Sequence, residues 1–172
     1  MNDDIRRILS DIGRAHGLEI ELNDQGACEL PTADGGAVHL QLRPGAGELD
    51  FVSPIGEVPP KAEAAIFRAL LAANLYWDET MGATLSYSEA LEQVVLAYPL
   101  PLAAADAATV ESTLLNFLHL RERWMARLAE DVKSALERQT DDEEDEDDDD
   151  GLFLLEEDAS GKSARPQARI EV

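Results

Sequence analysis

Gly161, Lys162 and Ser163 would close a phosphate-binding loop, in which main-chain amides and the lysine cradle a nucleotide's phosphates. Such a loop needs a glycine five residues ahead of Gly161 and a strand leading into it; Glu156 stands at the glycine position and no strand pattern precedes it. Glu146, Asp148, Asp150, Gly151 and Glu157 fall on the first, third, fifth, sixth and twelfth positions of a calcium loop, with Phe153 at the eighth. Here the first residue is Glu where the loop takes Asp, and Gly161 and Pro166 leave no room for an exiting helix. The ten consecutive acids from Asp141 to Asp150 produce such matches by composition alone, so the segment reads as a solvated charge run. His16, His39 and His119 sit on three different predicted elements, without HExxH or paired-cysteine spacing. Cys28, the one cysteine, lies in an apolar stretch and reads as a small core hydrophobe. Carboxylates are plentiful, but no spacing singles out a catalytic pair. The sequence predicts no catalytic residue, no metal and no cofactor: a protein that binds.

Its partners are bounded by charge. The 172 residues carry 36 acids against 14 Lys and Arg, a net charge of −22. The stretch after Arg138 accounts for 14 acids against Lys162, Arg165 and Arg169, which leaves the body with 22 acids and 11 bases, or −11. Such a body repels nucleic acid and anionic membrane, and it favours neutral or basic polypeptides. A single cysteine excludes an internal disulfide framework. The amino terminus, with Asn2, Asp3 and Asp4, lacks a basic segment and an apolar core, and no run of 18 apolar residues follows. The expectation is a cytoplasmic protein with no membrane insertion.

The elements follow from hydrophobic period. Ile5, Ile8, Leu9 and Ile12 make one helical stripe, and Gly17 suits its carboxyl-terminal cap. Leu18, Ile20 and Leu22 alternate with Glu19 and Glu21 as a strand would; after the turn at 23–26, Cys28 and Leu30 continue as a strand or hairpin arm. Asp34, Gly35 and Gly36 turn the chain before Val38, Leu40 and Leu42, and 44–47 turns it again before Leu49 to Val52. A second helix is predicted from Pro60 to about Asp78, then a hairpin with arms at Ala83 to Tyr87 and Val94 to Tyr98, the latter apolar on both faces and so central or at an interface. Asp106 caps a third helix in which Val110, Leu114, Phe117, Trp124, Leu128 and Val132 share one stripe, with Arg121 on it to snorkel or to pair with a carboxylate. The fold class is α+β, three helices and a five-stranded, mostly antiparallel sheet in the order αβββαββα. Residues 1–138 form the domain and 139–172 an acidic disordered tail.

The second helix is apolar on two sides. Ile66, Leu70, Ala73 and Trp77 form one stripe, and Phe67, Leu71 and Leu75 another about 100° around the axis. A body of this size covers one with its own sheet, and the other predicts a second copy of the chain.

This order on an acidic chain resembles the small dimeric chaperones of type III secretion, the Tir chaperone or CesT-like family, over about residues 1–136. The segment LLAANLYWDETMGATLSY, Leu70 to Tyr87, is similar to the family's second helix running through an Asn into a Gly and the first hairpin strand. VVLAYPLPL, Val94 to Leu102, resembles its last strand and exit, and Asp106 through Phe117 to Trp124 its final helix. The resemblance implies a homodimer that binds the extended amino-terminal segment of a secreted effector, without ATP, and adds that segment to its sheet by main-chain pairing, with components of the secretion apparatus as further partners. It maps the dimer seam to Phe67, Leu71, Leu75 and Val95. It maps the effector groove to Ile5, Leu9, Leu22, Leu30 and Leu40, for which alternation also admits a place in the core. Leu152 to Leu155 would then be either an apolar patch in disorder or a short motif docking in that groove. A different function for the same fold is an acidic regulator whose tail sequesters a basic protein.

Overall fold

The computed structural model describes residues 2–147. Helix α1 (Asn2–His16) is followed by strands β1 (Ala27–Pro31), β2 (Ala37–Arg43) and β3 (Glu48–Glu57), helix α2 (Glu63–Ala73), strands β4 (Thr84–Ser88) and β5 (Gln93–Pro101), and the long helix α3 (Ala107–Asp147). The five strands order as β1-β2-β3-β5-β4, and every neighbouring pair is antiparallel. This is the predicted α+β class and element order.

Alternation decides the two faces of the sheet. Leu30, Val38, Leu40, Leu42, Leu49, Phe51, Leu85, Leu96 and Leu100 face one core, which α3 covers along β3 and which α1 extends by packing on α3. Phe51 meets Phe117 of α3 with ring centroids 5.9 Å apart. The opposite face carries Glu29, His39, Gln41, Arg43 and Asp50 toward β1, and Val52, Pro54, Val95 and Ala97 toward β4. Val110, Leu114, Phe117, Trp124 and Leu128 of α3 are all buried, as the stripe predicts. Asp106 Oδ1 accepts the Thr109 amide at 2.7 Å, and that bond holds its carboxyl below the ordinary carboxylate range.

Three expectations are corrected. Leu18 to Leu22 is not a strand: Ile20 and Leu22 are buried as the alternation requires, but the backbone spends its bonds locally. The Leu18 amide donates to Gly13 O at 2.8 Å, Arg6 Nη1 donates to Leu22 O at 2.6 Å, and Asn23 Oδ1 accepts the amides of Gln25 and Ala27. Gly13 permits that close return, since a Cβ there would lie 2.7 Å from Leu18 O. The second helix does not run unbroken to Asp78; a 3-10 turn (Pro60–Ala62) leads into it, α2 stops at Ala73, and Tyr76 and Trp77 adopt left-handed φ of 59° and 57°. The third helix continues through the boundary expected after 138 to Asp147, because no glycine or proline interrupts it.

Candidate functional site

The two stripes of α2 meet different surroundings. Ile66, Leu70 and Ala73 enter the core against α3 and β4. Phe67 is half-buried and packs on Tyr87 of β4 with ring centroids 5.1 Å apart. Leu71 and Leu75 stand 72% and 64% exposed, flanked on the helix by exposed Ala64, Ala65, Arg68 and Ala72. Small residues beside a leucine ridge let another helix approach closely. Beyond α2 the chain adds Tyr76, Trp77 and Met81, all exposed, and all three have positive φ. Left-handed backbone at a non-glycine residue costs on the order of 1 kcal/mol or more and persists only where its surroundings fix it.

Those surroundings are polar pins. Asn74 Nδ2 donates to Leu85 O at 2.8 Å, and the Leu85 amide donates to Asn74 Oδ1 at 2.9 Å. One side chain thus ends α2 and takes both outward groups of Leu85 on the edge strand β4. Arg127 of α3 pairs with the Glu79 carboxylate, and Arg123 donates to the Glu79 carbonyl. Arg127 also lies over the Trp124 ring, 4.6 Å from its centroid. The sequence pattern does not reveal Asn74 in this role, and the aromatic pair at 76 and 77 extends the exposed apolar surface in a direction that helical spacing misplaces. Trp77, expected on the covered stripe, is 55% exposed because the left-handed turn rotates it away.

Of the four expected seam residues, Phe67 and Leu71 share the outer flank of α2, and Leu75 lies in the turn just beyond it. Val95 does not join them there: it is buried on the helix-free face of the sheet, opposite Ser86 and Pro54. The five expected groove residues are a correction. Ile5, Leu9, Leu22, Leu30 and Leu40 are all buried in the core cluster, so none offers a protomer surface to an extended chain. Alternating and helical apolar stripes record which side of an element is dry, and here those of α1, β1 and β2 lie in one core cluster, with α1 packed on α3.

A second polar constellation lies between the β1–β2 turn and α3. Arg121 is 3% exposed; its Nε donates to Ser53 Oγ at 2.7 Å and its Nη2 to Asp34 Oδ2 at 2.9 Å. Ser53 Oγ in turn donates to Ala37 O at 2.6 Å. The Arg121 hydrogen bond, helped by one from Thr32, lowers the Asp34 carboxyl to about 2. Of the two fates predicted for Arg121, pairing is the one observed.

His16 meets Glu111 at 2.6 Å and His39 meets Glu29 at 3.5 Å, on separate parts of the surface. No group of three or more His, Cys, Asp or Glu among the described residues could hold a metal ion. Cys28 is half-buried, and burial pushes its thiol up, away from the reactive thiolate. Among the described residues no helix is long and apolar enough to cross a membrane. The calcium-loop match, Leu152 to Leu155 and the Gly161 to Ser163 run extend or lie outside the described residues.

Residues 7–125 match the Tir chaperone protein (CesT) family. Solved structures with the same fold include a chain of the ExsC–ExsE complex (TM-score 0.67, 22% identity, covering 74% of this chain and 96% of that one). A chain of the HopA1–SchA chaperone–effector complex gives a TM-score of 0.59 at 15% identity, covering 73% of this chain and 95% of that one. The heterodimeric ExoU–SpcU complex from the type III secretion system of Pseudomonas aeruginosa gives 0.54 at 22% identity, covering 76% and 98%. Curated protein sequences yield no match. With the family pattern spanning 119 residues, from 7 to 125, and the αβββαββα order in place, this chain belongs to the Tir chaperone (CesT) family.

Proposed function

We propose that this protein is a cytoplasmic type III secretion chaperone: a homodimer that holds the extended amino-terminal segment of a secreted effector, keeping it soluble and secretion-competent. Binding is its whole activity, and no nucleotide, cofactor or catalytic step enters. The observation that carries the reading is the uncovered flank of α2, Leu71 and Leu75 with Trp77 beyond them, on a fold of the CesT family. Exposed leucines in a row are costly for a lone protomer, at roughly 1.5–3 kcal/mol per side chain left wet, and a second α2 across a two-fold axis covers both copies at once. The complexes solved for proteins of this fold, one of them described as chaperone–effector, support the choice of partner.

Sedimentation of the full chain at micromolar concentration, combined with secretion profiles of the native bacterium with and without the gene, tests the reading. A mass of two chains, and the loss of one secreted protein that co-purifies with the chaperone through its amino-terminal segment, are the expected results. A compact monomer with an unchanged secretion profile would overturn it.

One observation favours the regulatory alternative: α3 carries its helix into the acidic run as far as Asp147. Deleting 140–172 separates the two. Effector binding that survives the deletion belongs to the chaperone, and a salt-sensitive basic partner lost with it belongs to the regulator.

A further inference from the structure

We propose that the stretch from Lys162 to Ile170 of this chain docks in the apolar cleft between the β3–α2 connection and the β4–β5 turn of its own protomer, with Arg165 and Arg169 on the cleft's acidic rim. The inference stands apart from the chaperone reading, since its ligand is the chain's own tail and the contacts are made by side chains.

The cleft has a volume of about 490 Å³, lined by Val58, Pro59 and Pro60 from the connection and by Tyr87 and Leu91 from β4 and the turn after it. It runs on from the outer flank of α2, because Phe67 packs on the Tyr87 ring at 5.1 Å. Leu91 is 56% exposed there, and the two prolines hold their backbone stiffly, so the apolar surface is preformed and uncovered. Glu57, Glu63 and Glu92 complete the lining, and no Lys, Arg or His joins them. None of the three carboxylates has an ion-pair or hydrogen-bond partner among the described residues. An apolar cleft with this rim selects a ligand that is apolar along one side and cationic along the other, and the Tyr87 face adds a surface on which a guanidinium can stack.

The tail contains one stretch of that pattern. Ala164, Pro166, Ala168 and Ile170 alternate with Arg165, Gln167 and Arg169, so an extended backbone sets the apolar residues along one side and both arginines along the other. With Lys162, these are all the cations that follow Arg138. The acidic run from Asp141 to Asp150 competes for them and outnumbers the three glutamates of the rim. It offers no apolar surface, however, and ion pairs fully in water are weak. Leu152 to Leu155 is the other apolar stretch of the tail, and the acids on both sides of it are repelled by the same rim.

Reach favours the same cleft. Gln139 Nε2 of α3 donates to Lys61 O at 2.6 Å, so the helix passes beside Pro60 at the cleft's edge. Asp147 lies two turns further on, roughly 12 Å along the axis. From there to Arg165 a flexible chain has a root-mean-square span of about 21–25 Å and an upper limit of about 60 Å. The way back along two turns of helix and across the cleft falls near that mean. A tether matched to its span gives an effective concentration on the order of millimolar, at which even weak side-chain contacts keep the site occupied.

Limited trypsin digestion of the full-length protein at low ionic strength, followed by intact mass, tests the docking through cleavage after Lys162 and after Arg169. Both cuts should be at least threefold faster in the triple variant Glu57→Gln, Glu63→Gln, Glu92→Gln, which keeps the acidic run and removes the rim's charge. Leu91→Asn, at an exposed turn position, should speed them in the same direction without altering any charge, and it carries the test if the triple variant melts early. Equal cleavage rates in the unaltered protein and the folded variants would overturn the docking, whether the tip is free or held by the acidic run. Protection that grows with protein concentration would place the tip on another molecule and overturn it as well. Either result leaves the chaperone reading standing, because that reading fails on a different measurement, the unchanged secretion profile of the deletion strain.

Discussion

Ile66 and Leu70 on one flank of α2, and Leu71 on the other with Leu75 in the turn just beyond, are the same kind of side chain facing different ways. The first pair is buried under α3 and β4, whereas the second stands 72% and 64% exposed. Both flanks cost free energy when wet, and only one is dried within the protomer. The difference separates two roles in one short element: the inner flank belongs to folding, and the outer flank is the surface that the proposed dimer would cover. The polar pins at its end follow the same division, since Asn74 fastens the helix to β4 while the turn it begins displays Tyr76 and Trp77.

Charging the outer flank should break the comparison most strongly. Leu71→Glu appears twice across a two-fold seam, so the loss is about 3–6 kcal/mol of association, or roughly two to four decades in dimer Kd. Sedimentation equilibrium should read this as monomer, with the protomer's melting transition retained. Leu70→Ala is the mirror experiment on the inner flank. It leaves a cavity in the core at a cost of about 2–5 kcal/mol, visible as a lower urea midpoint in a protein whose helix flank still associates wherever the protomer is folded.

Asn74→Ala removes both bonds to Leu85 at once and leaves an edge amide and carbonyl unpaired. It should cost about 1–3 kcal/mol and speed amide hydrogen exchange at residues 84–86 before it changes dimer mass. A larger loss of dimerisation than of stability would mean that Asn74 serves the outer flank instead of joining the two.

The smallest effect belongs to the pin remote from α2. Asp34 is partly exposed while Arg121 is buried, so solvent screens the pair, and Asp34→Asn should cost about 1–2 kcal/mol. Because the native carboxyl lies near 2, below its unfolded value, the pair's contribution is complete above about pH 4 and is lost as pH falls toward 2. Acid titration of stability should therefore be shallower over that interval in Asp34→Asn, and the seam variants should titrate like the unaltered protein.

Much of the fold could be read directly from periodicity. The stripe from Val110 to Leu128 finds its place on β3, the apolar β5 lies between two strands, and the apolar second side of α2 is the flank left open. Of the candidate site, what the spacing made legible is an apolar flank at Phe67, Leu71 and Leu75 that the protomer leaves half-buried or exposed. Groove residues chosen from α1 and the first strands proved to be core, because an apolar stripe announces that something covers it without saying what. Val95 fell to the other face of the sheet for the same reason.

The sequence by itself determined the α+β order, the surplus of apolar surface on α2 and the acidic character of the chain. Those properties are local or additive: a period or a charge count. Tertiary structure alone decided that Asn74 would take both outward groups of Leu85, that Tyr76 and Trp77 would turn outward, and that Arg121 would reach Ser53 and Asp34 across 68 and 87 residues of chain. Bonds between groups so distant in sequence leave no local pattern, because what selects them is the penalty on an unpaired polar group once the core has closed around it.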